Sequence, residues 1–321
     1  MTLPKKHHFL PQFYLEFFKI SPQTGRHPHI WQIEKAASPK TVNSAIKDTG
    51  CKTDYHTLDF KEQDKDRQKV EEMFSRLESE QANLVKEICE ANQITETNKV
   101  SLADFITTMR FRVPAFKRYI ESSLKNTVST TYKLLDQQGI LPTPPKKVEK
   151  LIQDRGYDFI KFDIANWFIL QFMLDMSFNS ENSAILKAMK YQLFLAPDEH
   201  HFITADSPVA LYHPNYESVK PYGVGPAFKE VEITFPLAKS HLVKLSWEGK
   251  EGTIEVQEDH LLEYNRRTII MADKYIYSCL SNDYLQEQVA WYHNISAGYK
   301  VDNLWYGKGA YKISRFIPVT N

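Results

Sequence analysis

Two adjacent histidines near the start of the chain are its strongest candidates for chemistry. His7 and His8 follow Lys6 and precede a helix signal at Pro11. Imidazole titrates near neutral pH and both its nitrogens can donate or accept, so either side chain could act as a general base, a metal ligand or a phosphate-binding cation. Successive side chains of an extended chain point to opposite sides, so we do not expect the two to bind one ion together. The alternative is that they hydrogen-bond backbone atoms at the helix entrance.

An aspartate and an amide in the C-terminal third are the next candidates. Asp206 ends a predicted strand just before Ser207 and Pro208, where its carboxylate could face a cleft. The alternative is an Asx-turn, in which the carboxylate binds N–H groups two residues on. Asn265 falls on the apolar stripe of a predicted helix, where an amide must find partners. It either ties that helix to the sheet or orients a ligand.

Two arginines lie where a predicted helix must break. Arg110 and Arg112 come directly before Pro114, and proline disfavours helical geometry in the residue ahead of it. A guanidinium at such a kink could hold a carboxylate or phosphate through two parallel hydrogen bonds. The alternative is an arginine that is solvated or paired within the fold.

Composition limits the function classes. The 321 residues are 42% hydrophobic and 25% charged, as in ordinary globular proteins. Forty basic and forty acidic residues cancel, which excludes the broad positive field of a DNA-coating protein but not a local basic groove. Cys51, Cys89 and Cys279 form no CxxC motif, so neither a disulfide framework nor a cysteine zinc site is expected. With no secretion signal in residues 1–20, we expect a cytoplasmic protein.

The N-terminal and middle parts of the chain read as mainly helical. A helix is expected over residues 11–20, a strand over 29–34 and a long amphipathic helix over 65–91. A capping box at Ser101 and Asp104 predicts a helix that breaks before Pro114, followed by another to about residue 136. Residues 141–147 are proline-rich and mark a linker or boundary. The apolar segment 162–178 is interrupted by polar residues and too short for a usual membrane span, so we interpret it as a buried core helix.

The C-terminal third shows strand patterns instead. Strands are expected over residues 202–212, 231–237, 241–247 and 252–256, with residues 248–252 forming a hairpin turn. A helix over 258–272, a strand over 275–279 and a helix capped by Ser281 or Asn282 follow. The sequence therefore predicts an α+β fold, with a helical N-terminal and middle part packed on a mainly antiparallel C-terminal sheet. We expect one domain over residues 1–321, with a subdivision into 1–140 and 148–321.

Four segments together resemble a known family. They read KKHHFLPQFYLEFF at residues 5–18, SLADFITTMRFRVPAF at 101–116, HFITADSPVALY at 201–212 and ITFPLAKSHLVKL at 233–245. The set is similar to domain of unknown function 4238 and spans nearly the whole chain. The family's strand is closer to Thr-Ser-Asp-Asn-Pro where this chain has Ala205 and Ser207 around Asp206, so no amide beside the aspartate is expected. Phosphate loops, dinucleotide fingerprints and zinc-protease motifs are missing.

The resemblance implies a single family domain and raises the odds for five site residues, but it implies no reaction. These are His7, His8, Arg112, Asp206 and Asn265. We expect the N-terminal element to return to the C-terminal sheet and bring them together. A histidine base, an aspartate that orients it or binds metal, and an arginine that stabilises negative charge favour phosphoester hydrolysis.

The resulting hypothesis assigns a role to each candidate. His7, His8 and Asp206 are predicted to be catalytic. Arg112, Asn265 and Lys6 are predicted to bind substrate, which is a nucleic acid or a nucleotide, and a divalent metal is the expected cofactor if one is used. The alternative is a non-enzymatic binding or interaction protein whose histidine, aspartate and asparagine side chains form a structural polar network. No membrane insertion is expected, and the sequence leaves the oligomeric state open.

Overall fold

The computed structural model describes residues 6–22, 25–58, 69–155, 164–219, 223–306 and 309–320, with the backbone alone for 302–306 and 309–312. The helices are α1 (Gln12–Glu16), α2 (Lys69–Ala91), α3 (Glu96–Phe111), α4 (Pro114–Gln137), α5 (Lys146–Arg155), α6 (Asn166–Phe178), α7 (Ser180–Lys187), α8 (Glu258–Met271) and α9 (Asp283–Tyr292), with short 3₁₀ turns at Ile46–Asp48 and Tyr216–Val219. The strands are β1 (Lys6–His8), β2 (His29–Glu34), β3 (Thr41–Ala45), β4 (Cys51–Thr53), β5 (Lys190–Leu195), β6 (Thr204–Ala205), β7 (Ala210–Tyr212), β8 (Glu232–Ala238), β9 (His241–Ser246), β10 (Gly252–Glu255), β11 (Tyr275–Ser278), β12 (Gly298–Tyr306) and β13 (Gly309–Ile317).

The strands form two sheets and two separate pairs. One sheet has the order β10-β5-β9-β8-β7 and the other β3-β2-β11-β6, while β1 pairs with β4 and β12 with β13. Within the described ranges, the named strands pair antiparallel except β10, which runs parallel to β5. The predicted α+β class with mainly antiparallel sheets is confirmed.

Strand β2 pairs with a C-terminal strand, whereas β1, which carries His7 and His8, pairs with β4 in a separate two-stranded sheet. Strand β2 lies between β3 and β11, with Trp31 opposite Ser278. Ile30 and Ile33 are both fully buried but belong to different hydrophobic clusters. Side chains an odd number of positions apart lie on opposite faces of a strand, so both faces of this sheet are covered at β2.

The predicted hairpin between β9 and β10 is wrong. Residues 248–252 join the two strands, but β10 continues past β9 and pairs with β5. The reason is topological, because β9 already has β5 on one side and β8 on the other. A strand with both edges occupied cannot accept a third partner, so β10 takes the free edge of β5 instead.

Helix α1 is shorter than the predicted helix over residues 11–20. It covers Gln12–Glu16, and Pro11 is its N-cap residue. Beyond it the backbone N–H of Ile20 donates to the carbonyl of His29, which draws the chain into pairing beside β2. The helix docks through Tyr14, whose buried ring stacks on Phe235 and whose hydroxyl bonds Thr204 Oγ1 at 2.7 Å. A buried tyrosine needs such a polar partner.

The break between α3 and α4 lies where proline predicts it. Helix α3 ends at Phe111, and α4 begins at Pro114 with an extended Val113 before it. Proline has no N–H to donate and forces the preceding residue out of helical geometry. Arg112 therefore lies in the bend rather than on a helix face. The predicted capping box at Ser101 is wrong: α3 starts a turn and a half earlier, at a capping box formed by Thr95 and Asn98.

Helix α6 covers the described part of the apolar segment 162–178. It buries Ile169, Leu170 and Met173 but leaves Phe168 and Phe178 more than one third exposed, so it packs one face on the core rather than being buried all round. In the part of the chain that the structure describes, no helix has both the length and the apolar character needed to cross a bilayer. The linker segment connects α4 to α5, and the proposed domain subdivision stays a prediction.

Candidate active site

Strand β1 gives the two N-terminal histidines different surroundings. The His7 ring is fully buried, and its Nδ1 accepts the backbone N–H of His56 at 2.9 Å. His8 is only half-buried and its Nε2 lies 3.2 Å from the carbonyl of Lys47. Side chains of neighbouring strand residues point to opposite faces, so the two imidazoles have separate partners.

A third histidine lies beside His7. His56 follows β4, the strand that pairs with β1, and its side chain is fully buried. The rings of His7 and His56 stack with centroids 5.8 Å apart and planes 12° apart, and the ring of Phe74 on α2 lies 5.0 Å from His56. The pairing of β1 with β4 thus carries His56 to the buried face of β1.

Glu71, in the first turn of α2, fixes the orientation of the His56 ring. Its Oε2 lies 2.6 Å from His56 Nδ1. Burial lowers the pKa of His56 to about 4, so the ring is neutral at pH 7 and Nδ1–H donates to the carboxylate. Nε2 then carries the lone pair, and it is buried without a hydrogen-bond partner among the described residues. Burial opposes ionisation of Glu71, but the bond from His56 and the nearby cationic groups outweigh it and lower its pKa.

Arg112 reaches the same cluster from the bend between α3 and α4. Its side chain is 1% exposed, and Nη2 donates to the His8 carbonyl at 2.7 Å and to Glu78 Oε1 at 3.0 Å. The guanidinium carbon lies 4.3 Å from the ring centre of Phe74, the ring that His56 also contacts. The Nε–H and Nη1–H groups are buried without partners within the described ranges. We refer to His7, His56, Glu71 and Arg112 as the histidine cluster.

The histidine cluster contains a set of ligand atoms for a metal ion. One ligand atom each from His7, His56 and Glu71 lies within 4.8 Å of the others. Two imidazoles and a carboxylate are the ligands of many catalytic zinc sites. Ligands of one tetrahedral ion lie roughly 3.3 Å apart, so the 2.6 Å contact between His56 and Glu71 would widen on binding. The residue types fit an ion, and the observed spacing is that of a hydrogen-bonded network.

Asp206 lies at the end of β6, and its carboxylate binds backbone. Oδ1 accepts the N–H of Asp273 at 2.8 Å, and Oδ2 accepts those of Lys274 and Tyr275 at 2.9 and 3.1 Å. These donors lie 67 to 69 residues along the chain, not two residues on as an Asx-turn requires. Burial, with the neighbouring Asp273 carboxylate, raises the pKa of Asp206 to about 6 despite the three N–H donors. The carboxylate holds the turn before β11 against β6.

Asn265 and Lys6 also have defined partners. The Asn265 side chain accepts the N–H of Ile203 and donates to the carbonyl of His201, both at 3.0 Å, so its amide joins α8 to the chain ahead of β6. Lys6 is exposed and pairs with Asp48.

The structure brings some predicted site residues together and gives others separate neighbours. His7, His8 and Arg112 meet around the histidine cluster. The hydrogen bonds of Asp206 and Asn265 go instead to backbone around β6, β11 and α8. Sequence reasoning missed His56 and Glu71, which lie 49 and 64 residues from His7 and belong to no motif. The one available signal was the position of Glu71 at the start of a strongly amphipathic helix.

Fold and site define an α+β protein with a buried cluster of histidine, carboxylate and guanidinium groups. A family model described as a protein of unknown function (DUF4238) matches residues 6–282 of the 321. The chain therefore belongs to this family, and the matched region contains every residue of the histidine cluster as well as Asp206 and Asn265. Comparison with curated proteins and with solved structures found no match.

Proposed function

We propose that the protein hydrolyses a phosphoester bond in a nucleic acid or a nucleotide, with His56 and Glu71 as its acid–base pair. The supporting observation is that Glu71 holds His56 Nδ1–H at 2.6 Å while Nε2 has no partner among the described residues. An imidazole that is oriented by a carboxylate at one nitrogen and has an unpaired acceptor at the other is the arrangement that general base catalysis uses.

The proposed reaction moves one proton through His56. Nε2 takes a proton from water as the water oxygen bonds to phosphorus, the ester P–O bond breaks, and the proton passes to the leaving oxygen. A pKa of about 4 is low for a base that works at neutral pH. A phosphate anion beside the ring favours the imidazolium form, so substrate binding raises this pKa towards the working range.

Arg112 supplies the positive charge in this proposal. Its Nε–H and Nη1–H groups have no partners among the described residues, and each could donate one charge-assisted hydrogen bond to a phosphoryl oxygen. The side chains of Glu71 and Glu78 keep 27% and 26% of their exposure, so the cluster adjoins the surface on that side. Substrate would approach from there.

A divalent ion bound by His7, His56 and Glu71 would supply the activated water directly. In that form the three side chains act as ligands, and Arg112 keeps its role towards the phosphoryl oxygens. Metal binding has a readout besides turnover, because an ion that binds only the folded chain raises its melting temperature. Zn²⁺, Mn²⁺ and Mg²⁺ are the ions to compare by thermal unfolding and calorimetry.

The test is turnover of a phosphodiester and a phosphomonoester of p-nitrophenol by the full chain, with each ion and with EDTA. We expect His56→Gln to lower kcat by about 100-fold or more, since general acid–base groups contribute on this scale. The matched control is His200→Gln, which alters another histidine paired with a glutamate, in this case Glu258 at 3.2 Å on the surface. Equal rates in wild type and His56→Gln, with both folded, would remove the cluster from the chemistry.

The assignments of His7, His8 and Asp206 as catalytic, and of Lys6 and Asn265 as substrate-binding, are part of the proposal and are tested with it. His8→Ala and Asp206→Ala are compared in the same assay. Turnover retained at the wild-type level in a folded variant would assign that side chain to structure alone.

The second candidate is a non-enzymatic interaction protein. It is supported by the backbone bonds of Asp206 and of Asn265, which use both ends of the amide and three sites on the carboxylate. This candidate predicts that substitutions lower stability and that wild type turns over no phosphoester under any of the metal conditions.

Cellular location and domain organisation complete the proposal. We place the protein in the cytoplasm, because Cys51, Cys89 and Cys279 are all free thiols, as is usual in a reducing compartment. We also propose one domain over the whole chain, supported by strand pairing between β2 and β11.

A further inference from the structure

A cavity lined by charged and aromatic side chains lies between α3, α4, the turn before β11 and strand β12. Its volume is about 580 Å³. Its charged lining residues include Lys35, Arg110, Arg118 and Lys300, and Ser207 and Tyr299 also face it. We call this region the basic cleft. None of its lining residues belongs to the histidine cluster.

Positive charge in the basic cleft is only partly compensated. Among the described residues, Asp273 is the one carboxylate in the lining, and it is paired with Arg118. Lys35 donates to the backbone carbonyls of Ile270 and Ala272, at 2.9 and 3.0 Å. Lys300 donates to the carbonyl and hydroxyl of Ser296. These acceptors are neutral. The nearby carboxylates of Asp206 and Asp273 favour the charged form of Lys35. Lys300 makes no ion pair among the described residues, so a ligand with negative charge would find a cation available here.

Arg110 adds a guanidinium that makes no ion pair within the part of the chain that the structure describes. It lies over the rings of Phe111 and Tyr299, 5.0 and 5.6 Å from their centres, and its Nε–H is buried without a partner there. Arg112, two residues on, does pair with a glutamate, Glu78. The Arg110 guanidinium also hydrogen-bonds the Tyr299 side chain. A positive charge without a carboxylate partner keeps its remaining N–H donors available for an anion.

A buried hydroxyl points to the same conclusion. Ser207 lines the basic cleft, is 2% exposed, and its Oγ has no hydrogen-bond partner among the described residues. Buried polar side-chain atoms are nearly always bonded, so an orphan that faces a cavity marks a place for a ligand atom. Burial also lowers the pKa of the neighbouring Lys35 to about 8, and an anion in the cleft would restore its full charge.

One wall of the basic cleft is aromatic. Phe116, Tyr119 and Tyr299 all line it, and Tyr299 lies 5.0 Å from Phe116 and 4.7 Å from Tyr119 between ring centres. The ring planes of Phe116 and Tyr119 are inclined by 63° and 32° to that of Tyr299, and an aromatic ring in a cavity wall can stack on the planar ring of a ligand. The cavity volume lies within the usual range for small-molecule sites.

We propose that the basic cleft binds a nucleoside monophosphate, with the phosphate on Arg110, Lys300 and Ser207 and the base against the aromatic wall. The proposal concerns binding at a site separate from the histidine cluster, so it does not rest on hydrolysis there. The phosphate of such a ligand carries negative charge that can pair with the cations of the cleft. Its base is a planar ring that can stack on the aromatic wall.

Calorimetry of the full chain with AMP, GMP, CMP and UMP tests the proposal, with adenosine and inorganic phosphate as partial ligands. We expect at least one monophosphate to bind. If AMP is that ligand, adenosine should bind about 30-fold more weakly or worse, because charge-assisted bonds to phosphate are lost. Inorganic phosphate should bind at least about tenfold more weakly, because stacking is lost.

Arg110→Gln and Lys300→Gln should each weaken monophosphate binding about tenfold or more, as expected for the loss of a charge-assisted bond. Lys300→Gln is the safer variant, because its side chain is not packed over rings as that of Arg110 is. The matched control is Lys190→Gln, whose ammonium also donates to a backbone carbonyl, that of Gly249, but lies outside the cleft. It should bind as wild type does.

Three results would overturn the proposal. They are no binding of any of the four monophosphates at millimolar concentration, equal affinity in wild type and Lys300→Gln, and adenosine binding as tightly as AMP. Failure of hydrolysis leaves this measurement unaffected, because no lining residue of the basic cleft belongs to the histidine cluster.

Discussion

The histidine cluster and the basic cleft differ in the partners of their ionisable side chains. In the cluster, the guanidinium of Arg112 is paired with Glu78, and the neutral His56 ring is hydrogen-bonded to the Glu71 carboxylate. In the cleft, Lys35 and Lys300 face neutral oxygen atoms. A site whose charges are already paired attracts no ion from afar but can hold a proton at a defined atom. A site with uncompensated cations attracts an anion without offering a base. This difference underlies the two separate proposals, acid–base chemistry at the cluster and anion binding in the cleft.

Two carboxylates sharpen the contrast between a structural and a reactive group. Asp206 accepts three backbone N–H groups, and burial raises its pKa to about 6. Glu71 faces a histidine and nearby cations, and its pKa is lowered although burial opposes this. The Glu71 carboxylate is therefore placed to take part in proton transfer through His56. The Asp206 carboxylate joins two parts of the backbone.

The largest expected effect is that of Asp206→Ala on stability. The substitution leaves three buried backbone N–H groups without an acceptor, and we expect the free energy of unfolding to fall by about 4 kcal/mol. Urea unfolding measures it. Asp273→Ala is the control, because that carboxylate makes a partly exposed pair with Arg118 and should cost less than about 1 kcal/mol. A loss below about 1 kcal/mol in Asp206→Ala would mean that the carboxylate is not a structural link.

Between about pH 4 and 6, the contributions of Asp206 and His56 to the stability of wild type should nearly cancel, because their pKa values are shifted in opposite directions. The pKa of Asp206 is raised from 3.8 to about 6, so the stability it contributes is present below pH 4 and is lost as the pH rises to 6. The pKa of His56 is lowered from 6.5 to about 4, so its contribution is present above pH 6.5 and is lost as the pH falls to 4. Each amounts to about 3 kcal/mol.

Single substitutions should show separately how Asp206 and His56 make the free energy of unfolding depend on pH. In Asp206→Asn the free energy of unfolding should rise with pH across this window, since His56 acts alone. In His56→Gln it should fall across the same window, since Asp206 acts alone. Denaturant unfolding at a series of pH values measures both. Parallel curves for the two variants would contradict the assignment of opposite shifts.

Arg112→Met should cost about 2 kcal/mol, because it leaves Glu78 and the His8 carbonyl without their buried donor. Arg110→Met is the paired experiment on the same stretch of chain. Arg110 makes no ion pair among the described residues, so its replacement by an apolar side chain should cost less than about 1 kcal/mol. The free energy of unfolding is measured with heat or urea. An equal decrease in the two variants would contradict the claim that Arg112 is paired within the fold and Arg110 is not.

Local sequence patterns predicted where helices and strands lie better than they predicted which strands pair with each other. The alternation in residues 29–34 identified β2, and Pro114 identified the bend that places Arg112. The edge taken by β10 could not be predicted, because it depends on which strands already flank β9. The length of α1 was overestimated for a similar reason, since the bond from Ile20 to His29 ends the helical path.

The candidate site shows the same limit. His7 and Arg112 were predicted from residue type and position and do lie together. The pairing of β1 with β4 brings His56 next to them, and the packing of α2 brings Glu71. Neither contact can be predicted from the spacing of residues in the sequence. Asp206 looked reactive because it ends a strand before a proline. Its partners are backbone groups 67 to 69 residues on, which no local pattern reveals.

The most direct test of the central claim is ¹⁵N NMR of the His56 ring in the full chain, from pH 7 downwards. Glu71 is proposed to hold Nδ1–H and leave Nε2 as an open acceptor. We therefore predict a neutral ring protonated at Nδ1 that titrates near pH 4, and a loss of this tautomer preference in Glu71→Gln. A His56 ring protonated at Nε2, or one that is already cationic at pH 7, would contradict the proposed acid–base centre.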